Sequence, residues 1–177
     1  MVEFKFKGSD RKVRAFCMTK GNFYFIKTEY FKKFNDLNLM QNKENNEKDN
    51  HNRPCYYSFQ DNKTKLFWMI PFSSQVDKFK KIYSAKIAKY KKCDTIVFGK
   101  VLGFEKAFLI QNMCPITEQY ILNEYHDTNN NPVRIDSNLE KELTKKAKRI
   151  LLLQRKGLKL VFPDIISIEN QLLKEIN

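Results

Sequence analysis

Two runs, CYYSFQ (Cys55 to Gln60) and KLFWMIPF (Lys65 to Phe72), flank the turn-prone triplet Asp61-Asn62-Lys63. Aromatic and β-branched residues bounded by turn formers make an antiparallel hairpin, and one this rich in aromatics is expected at the centre of a sheet. Further strands follow from the same pattern: FYFI (Phe23 to Ile26), DTIVFGKVLGF (Asp94 to Phe104) and KAFLIQNM (Lys106 to Met113). A lesser pair, YILNEYH with PVRI, lies around Asn129-Asn130-Asn131, and VEFKFK with RKVRAFC across Gly8-Ser9-Asp10 makes an amino-terminal hairpin extension over residues 1–20. Hairpins of this kind imply an antiparallel sheet.

Helical periodicity appears in four places. Lys27 to Phe34 makes a turn or two with Tyr30 and Phe34 on one side. From Ser74 to Lys92, apolar residues fall at Val76, Phe79, Ile82, Tyr83, Ile87 and Tyr90, while Lys78, Lys81, Lys89 and Lys92 occupy another face. Ser137-Asn138-Leu139-Glu140 reads as a capping box opening a helix with Leu139, Leu143, Ala147, Ile150 and Leu151 on its apolar side and Gly157 as its stop. A last short helix follows Pro163-Asp164 and docks through Ile165, Ile168 and Leu172. Residues 35–52, crowded with Asn, Lys, Glu and Asp, read as an exposed loop or lid.

At 177 residues the chain is the size of one domain. Its formal charge of +13 asks for an anionic partner, although excess lysine can also serve solubility alone. No run approaches the roughly 20 apolar residues needed to cross a bilayer, and no signal peptide opens the chain, so a cytoplasmic protein is expected. Cys17, Cys55, Cys93 and Cys114 stand far apart, and His51 and His126 form no paired ligand motif. Buried free thiols are expected, and no metal or other cofactor. Five glycines leave no room for a phosphate-cradling loop.

The stretch WMIPFSSQVDK (Trp68 to Lys78) runs a strand into two hydroxyls, Ser73 and Ser74, and then into a helix carrying seven lysines between Lys78 and Lys92 with no acid after Asp77 until Asp94. Amides at a helix start bind anions, so a phosphate can rest there; equally, either serine can simply cap the helix. Lysine faces attract phosphates and aromatic faces stack unpaired bases, while Trp68 and Phe72 individually read as core.

The order FYFIKTEY (Phe23 to Tyr30), NRPCYY (Asn52 to Tyr57), WMIPFSS (Trp68 to Ser74) and NMCPIT (Asn112 to Thr117) resembles the toxin endoribonucleases of type III toxin–antitoxin systems, in particular the CptN branch of the ToxN, AbiQ and CptN group. The resemblance implies an α+β single domain: a strongly twisted antiparallel sheet similar to that of the Kid and MazF toxins, with packed helices. It also implies a metal-independent, sequence-specific endoribonuclease acting on cellular RNA. Its antitoxin would be a small, repeated, pseudoknotted RNA that the toxin cuts from a precursor and that then inhibits it in closed rings of several toxin and RNA copies.

Matched position by position, the resemblance places an active-site tyrosine at Tyr30 and the hydroxyl pair at Ser73 and Ser74. The family's lysine two positions after the second hydroxyl falls on Val76, so Lys78 corresponds only with an offset helix start; the lysine expected after the proline falls on Cys55, with Arg53 as substitute cation. His51 is the candidate proton acceptor because its pKa suits the task, although a histidine in a polar loop is often inert. The surface expected to meet RNA comprises Lys27, Lys32, Lys33, Tyr56, Lys81, Lys89 and Lys92, with Lys145, Lys148 and Arg149 on the long helix. Lys146, Arg155 and Lys156 on that helix could also grip RNA or be solvated. The rival is a non-catalytic RNA-binding module. A DNA-binding regulator lacks a helix-turn-helix pattern, and a Ser-Lys hydrolase lacks a glycine-rich nucleophile elbow.

Overall fold

A computed structural model describes residues 18–42 and 53–176. The expected amino-terminal hairpin, Cys17 and His51 lie outside these residues. In chain order the strands are β1 (Phe23–Ile26), β2 (Pro54–Gln60), β3 (Phe67–Ser73), β4 (Ile96–Val101), β5 (Phe104–Leu109), β6 (Cys114–Ile116) and β7 (Ile121–Glu124). The helices are α1 (Thr28–Lys33), α2 (Val76–Tyr90), α3 (Ser137–Arg155) and α4 (Ile165–Ile176). All strands pair antiparallel in the order β4-β5-β3-β2-β1-β7, so the aromatic hairpin β2–β3 sits at the centre as expected.

β3 also pairs with β6, on the side where it meets β5. The β6 ladder stops at Met69 and the β5 ladder starts at Phe72. Pro71 occupies the gap, where a residue without an amide hydrogen is tolerated in an otherwise central strand.

The strands' period-two alternation divides the apolar residues between two faces. Phe23, Tyr56, Trp68, Ile70 and Phe108 pack with Leu139, Leu143, Ala147, Ile150 and Leu151 of α3. On the other face, Tyr24, Ile26, Cys55, Tyr57 and Met69 pack with α1 and with Ile168 and Leu172 of α4, while Phe79, Ile82 and Ile87 of α2 cover Ile96, Ala107 and Leu109.

One helix end and one strand boundary differ from expectation. The N-cap of α3 is Asp136, whose carboxylate accepts from the amides of Asn138 and Leu139 at 3.0 Å each, one residue before the serine read as the cap. A carboxylate caps a helix start about as well as a hydroxyl and in addition complements the helix dipole. Gly157 stops α3 as expected, in the left-handed conformation with φ +92°. The run DTIVFGKVLGF is not one strand, because the chain reverses at Leu102-Gly103 between β4 and β5.

The segment after α1 is not wholly an exposed lid. Leu39 is buried in the same cluster as Tyr30, Met40 packs against the cluster that contains Phe79, and Asn42 Nδ2 donates to Ile26 O at 3.0 Å. Arg155, read as able to grip RNA, instead bridges Asp61 at 2.7 Å and the buried Glu169, tying the β2–β3 turn to α4.

Gly99 on β4 marks a close approach of sheet and helix: a Cβ there would lie 2.1 Å from Leu139 Cδ2. Gly99→Ala should destabilise by about 1–3 kcal/mol through overpacking. In urea unfolding, the pair Gly99→Ala and Leu139→Ala should cost clearly less than the sum of the single changes, since truncating Leu139 removes the clash.

Candidate nucleic-acid site at the end of β3

β3 ends where three strands come level. Ser73 pairs with Ala107 of β5, while the β2–β3 ladder ends at the Cys55–Pro71 pair and Arg53 immediately precedes β2. Strand alternation separates the two hydroxyls. Ser73 shares the face of Ala107, which α2 covers, and its Oγ accepts from the Gln75 amide at 3.1 Å just before the helix begins. Ser74 accepts from Lys106 Nζ at 2.8 Å. One serine is thus engaged in a cap-like turn, and the other carries an ammonium from the neighbouring strand.

Lys106 was not among the residues singled out from the sequence. Only the β3–β5 register carries it to Ser74, and a strand's pairing register cannot be read from local pattern when both partners are apolar runs. Lys78 lies in the first turn of α2, exposed, with its ammonium 5.8 Å from the Phe79 ring centre.

Tyr30 takes a different place from the one expected of a residue that touches substrate. It is fully buried, and its hydroxyl donates to Pro115 O at 2.8 Å. Burial among apolar groups, reinforced by the neighbouring Cys114 and Cys55, pushes its pKa well above the ordinary tyrosine value. Burial likewise pushes the Cys114 thiol up to about 12, so it stays protonated. Tyr56 is also fully buried, packed against Phe23 and Phe108, and therefore offers no face to a base. Trp68 is core, and Phe72 packs edge-on against Phe23.

The basic residues divide into engaged and available groups. Lys27 donates to Gln119 O at 2.6 Å, and Lys33 bonds Glu175. Lys86, one of the seven lysines of the α2 stretch, turns inward and donates to Thr95 Oγ1 and Gln111 Oε1; its burial lowers its pKa. Lys146 pairs with Glu142 along α3. Lys32, Lys78, Lys81, Lys89, Lys145 and Lys148 are exposed. Lys92 at the end of α2 and Arg149 of α3 both approach Asp94, at 3.9 and 3.5 Å, so the basic faces of these helices meet around the β4 edge of the sheet. Among the described residues no three His, Cys, Asp or Glu side chains are grouped to hold a metal ion, and no helix is long and apolar enough to cross a membrane.

The site therefore belongs to an α+β domain whose central strand delivers hydroxyls and cations to one sheet end. No family model matches the chain, and no curated protein matches it in sequence. Among solved structures it is similar to one from a bacterial antiviral system regulated by a processed non-coding RNA, at 12% identity over 87% of this chain and 98% of that one, with a TM-score of 0.60. It is also similar, at 13% identity over 76% and 74% and a TM-score of 0.44, to AbiQ, a lactococcal anti-phage endoribonuclease belonging to the type-III toxin-antitoxin system. The first likeness establishes the fold; the second is too loose to argue from.

Tyr30 gives a test that does not depend on substrate. Removing its hydroxyl strands the buried Pro115 carbonyl, so Tyr30→Phe should cost about 1 kcal/mol in denaturant unfolding. Because the folded state holds the phenol protonated, the unfolded chain loses its proton first. Stability is intact below about pH 10 and falls as pH rises beyond it, more shallowly in Tyr30→Phe than in the parent.

Proposed function

We propose that the chain is the toxin of a type III toxin–antitoxin system: a metal-independent, sequence-specific endoribonuclease that also processes its own repeated antitoxin RNA and is inhibited by it. The observation that carries this reading is the contact of Lys106 with Ser74 at the end of β3, with Ser73 one residue earlier at the turn into α2. The shared fold with a structure from a non-coding-RNA-regulated antiviral system adds to it.

The reaction is attack of an RNA 2′-oxygen on the adjacent phosphorus. The new P–O2′ bond closes a 2′,3′-cyclic phosphate while the P–O5′ bond breaks, and the proton lost from the 2′-hydroxyl is balanced by one delivered to the departing 5′-oxygen. Catalysis then consists of in-line positioning and of neutralising a doubly charged phosphorane. Lys106, held against Ser74, supplies positive charge, with Arg53 and Lys78 as the further cations of this reading. Ser74 and the first amides of α2 donate to the phosphorane oxygens, Ser73 holds the strand-to-helix turn, and His51 accepts the first proton. Tyr30 acts as a positioning residue, since its hydroxyl reaches the backbone of β6 rather than the surface. The exposed lysines around α2 and α3 bind the antitoxin RNA in a closed ring of several toxin and RNA copies.

One observation favours the rival, a non-catalytic RNA-binding module: Ser73 Oγ is engaged by the Gln75 amide, as a pure cap would be. Incubation with cellular RNA in EDTA decides between them. The parent should leave discrete cuts ending in 2′,3′-cyclic phosphate, Ser73→Ala and Ser74→Ala should lose them, and His51→Ala should slow cutting by about 100-fold or more. Tight RNA binding without cutting by the parent would leave the binding module standing.

A further inference from the structure

The β4–β5 hairpin carries a group that the proposed reaction does not use. Its two turn residues, Leu102 and Gly103, both have positive φ, +51° and +82°, the form of two-residue turn whose twist matches antiparallel strands. So short a connection has no slack, and Phe104, the first residue of β5, is held in a defined place. The residue is 70% exposed.

Single exposed apolar residues are ordinary, but this one has company. Lys106 lies two residues along the strand on the same face, its ammonium 5.8 Å from the Phe104 ring centre and 2.8 Å from Ser74 Oγ. The intervening Glu105 points to the other face, where Lys80 holds it at 2.8 Å, and Lys106 has no carboxylate partner among the described residues. An open ring, an unneutralised ammonium and a hydroxyl thus stand in a row. A protein-docking face would be mainly apolar and depleted in lysine. A cation beside an aromatic face instead matches a single-stranded nucleic acid, whose phosphate takes the charge while its base stacks on the ring.

We propose that Phe104 is a base-stacking subsite: the phosphate engaged by Lys106 and Ser74 has its neighbouring base laid on the Phe104 ring. The placement of that base next to the scissile bond rests on the ribonuclease reading above.

The test measures binding separately from cutting. In a Ser73→Ala background, a fluorescein-labelled single-stranded adenosine RNA of about 12 nucleotides is titrated by anisotropy at several salt concentrations. Phe104→Ala should weaken binding about 5- to 100-fold with its salt slope unchanged. Lys106→Gln should weaken binding and flatten the slope by about 0.7. Phe104→Trp should retain affinity, and its additional emission over the parent should be quenched by RNA. That readout is unaffected if the alanine variant folds poorly.

Binding by Phe104→Ala equal to the parent, or unquenched Phe104→Trp emission, overturns the subsite, as does a Phe104→Ala effect confined to self-association. The subsite falls alone if the parent with Ser73 restored still cuts RNA. If these effects appear but the restored parent cuts nothing, the ribonuclease reading falls and the stacking subsite stands. Absence of RNA binding by the background protein overturns both.

Discussion

Strand β3 is the constraint on which the rest of the structure depends. It pairs with β2 along one side, while on its other side β6 takes Phe67 to Met69 and β5 takes Phe72 and Ser73. A strand shared by three ladders has hydrogen-bonding neighbours on both edges, and β3 also buries aromatics and aliphatics above and below the sheet. Pro71 falls at the one place where the outer ladder is interrupted, so the sheet splits there without stranding a buried amide. The split is also what lets the end of β3 leave the sheet and enter α2, placing the serines at a junction of strand, neighbouring strand and helix.

Elements fixed by local pattern were legible in the sequence, and those fixed by pairing were not. The apolar stripe of α3 is buried at all five positions read from its period, and α4 docks through the three residues named for it. The aromatic hairpin lies at the sheet centre because its residues can be buried on both faces. By contrast, the capping-box reading of α3 slipped by one residue, since Asp136 and Ser137 are both competent caps and a carboxylate wins on charge. The two strands expected over this stretch correspond to β4 and β5, but the reversal lies at Leu102-Gly103 rather than at Glu105, because Leu102 is a poor indicator of positive φ. Register was invisible too, and with it the approach of Lys106 to Ser74.

Burial also sorted the aromatic and basic residues in a way composition could not. Tyr30 and Tyr56 have the residue type expected at a nucleic-acid surface, but each completes an apolar cluster, and neither ring reaches solvent. Lys86 belongs to a lysine-rich stretch yet faces inward, satisfying Thr95 and Gln111. The remaining charge is not spread evenly. Asp94 lies between Lys92 and Arg149, on helices that cover opposite faces of the sheet, and thereby joins two basic faces around the β4 edge. A surface of that form suits a polyanion that wraps an edge better than one lying on a flat face.

The contact between Lys106 and Ser74 exists only while β5 lies beside β3, and that ladder is two residue pairs long. A ladder so short would fray if it depended on its own hydrogen bonds. Beneath it, Phe72 and Phe108 pack at 5.8 Å, and both reach Phe23, at 5.4 and 6.3 Å, in an aromatic cluster continuous with the α3 face. Such clusters bury large area in directional arrangements and hold their partners more rigidly than aliphatic packing alone. The candidate site is therefore positioned from below, by core aromatics one residue removed from the serines. Aromatic surface committed to the interior in this way fixes the position of Ser74 and Lys106, the placement that the proposed reaction would require.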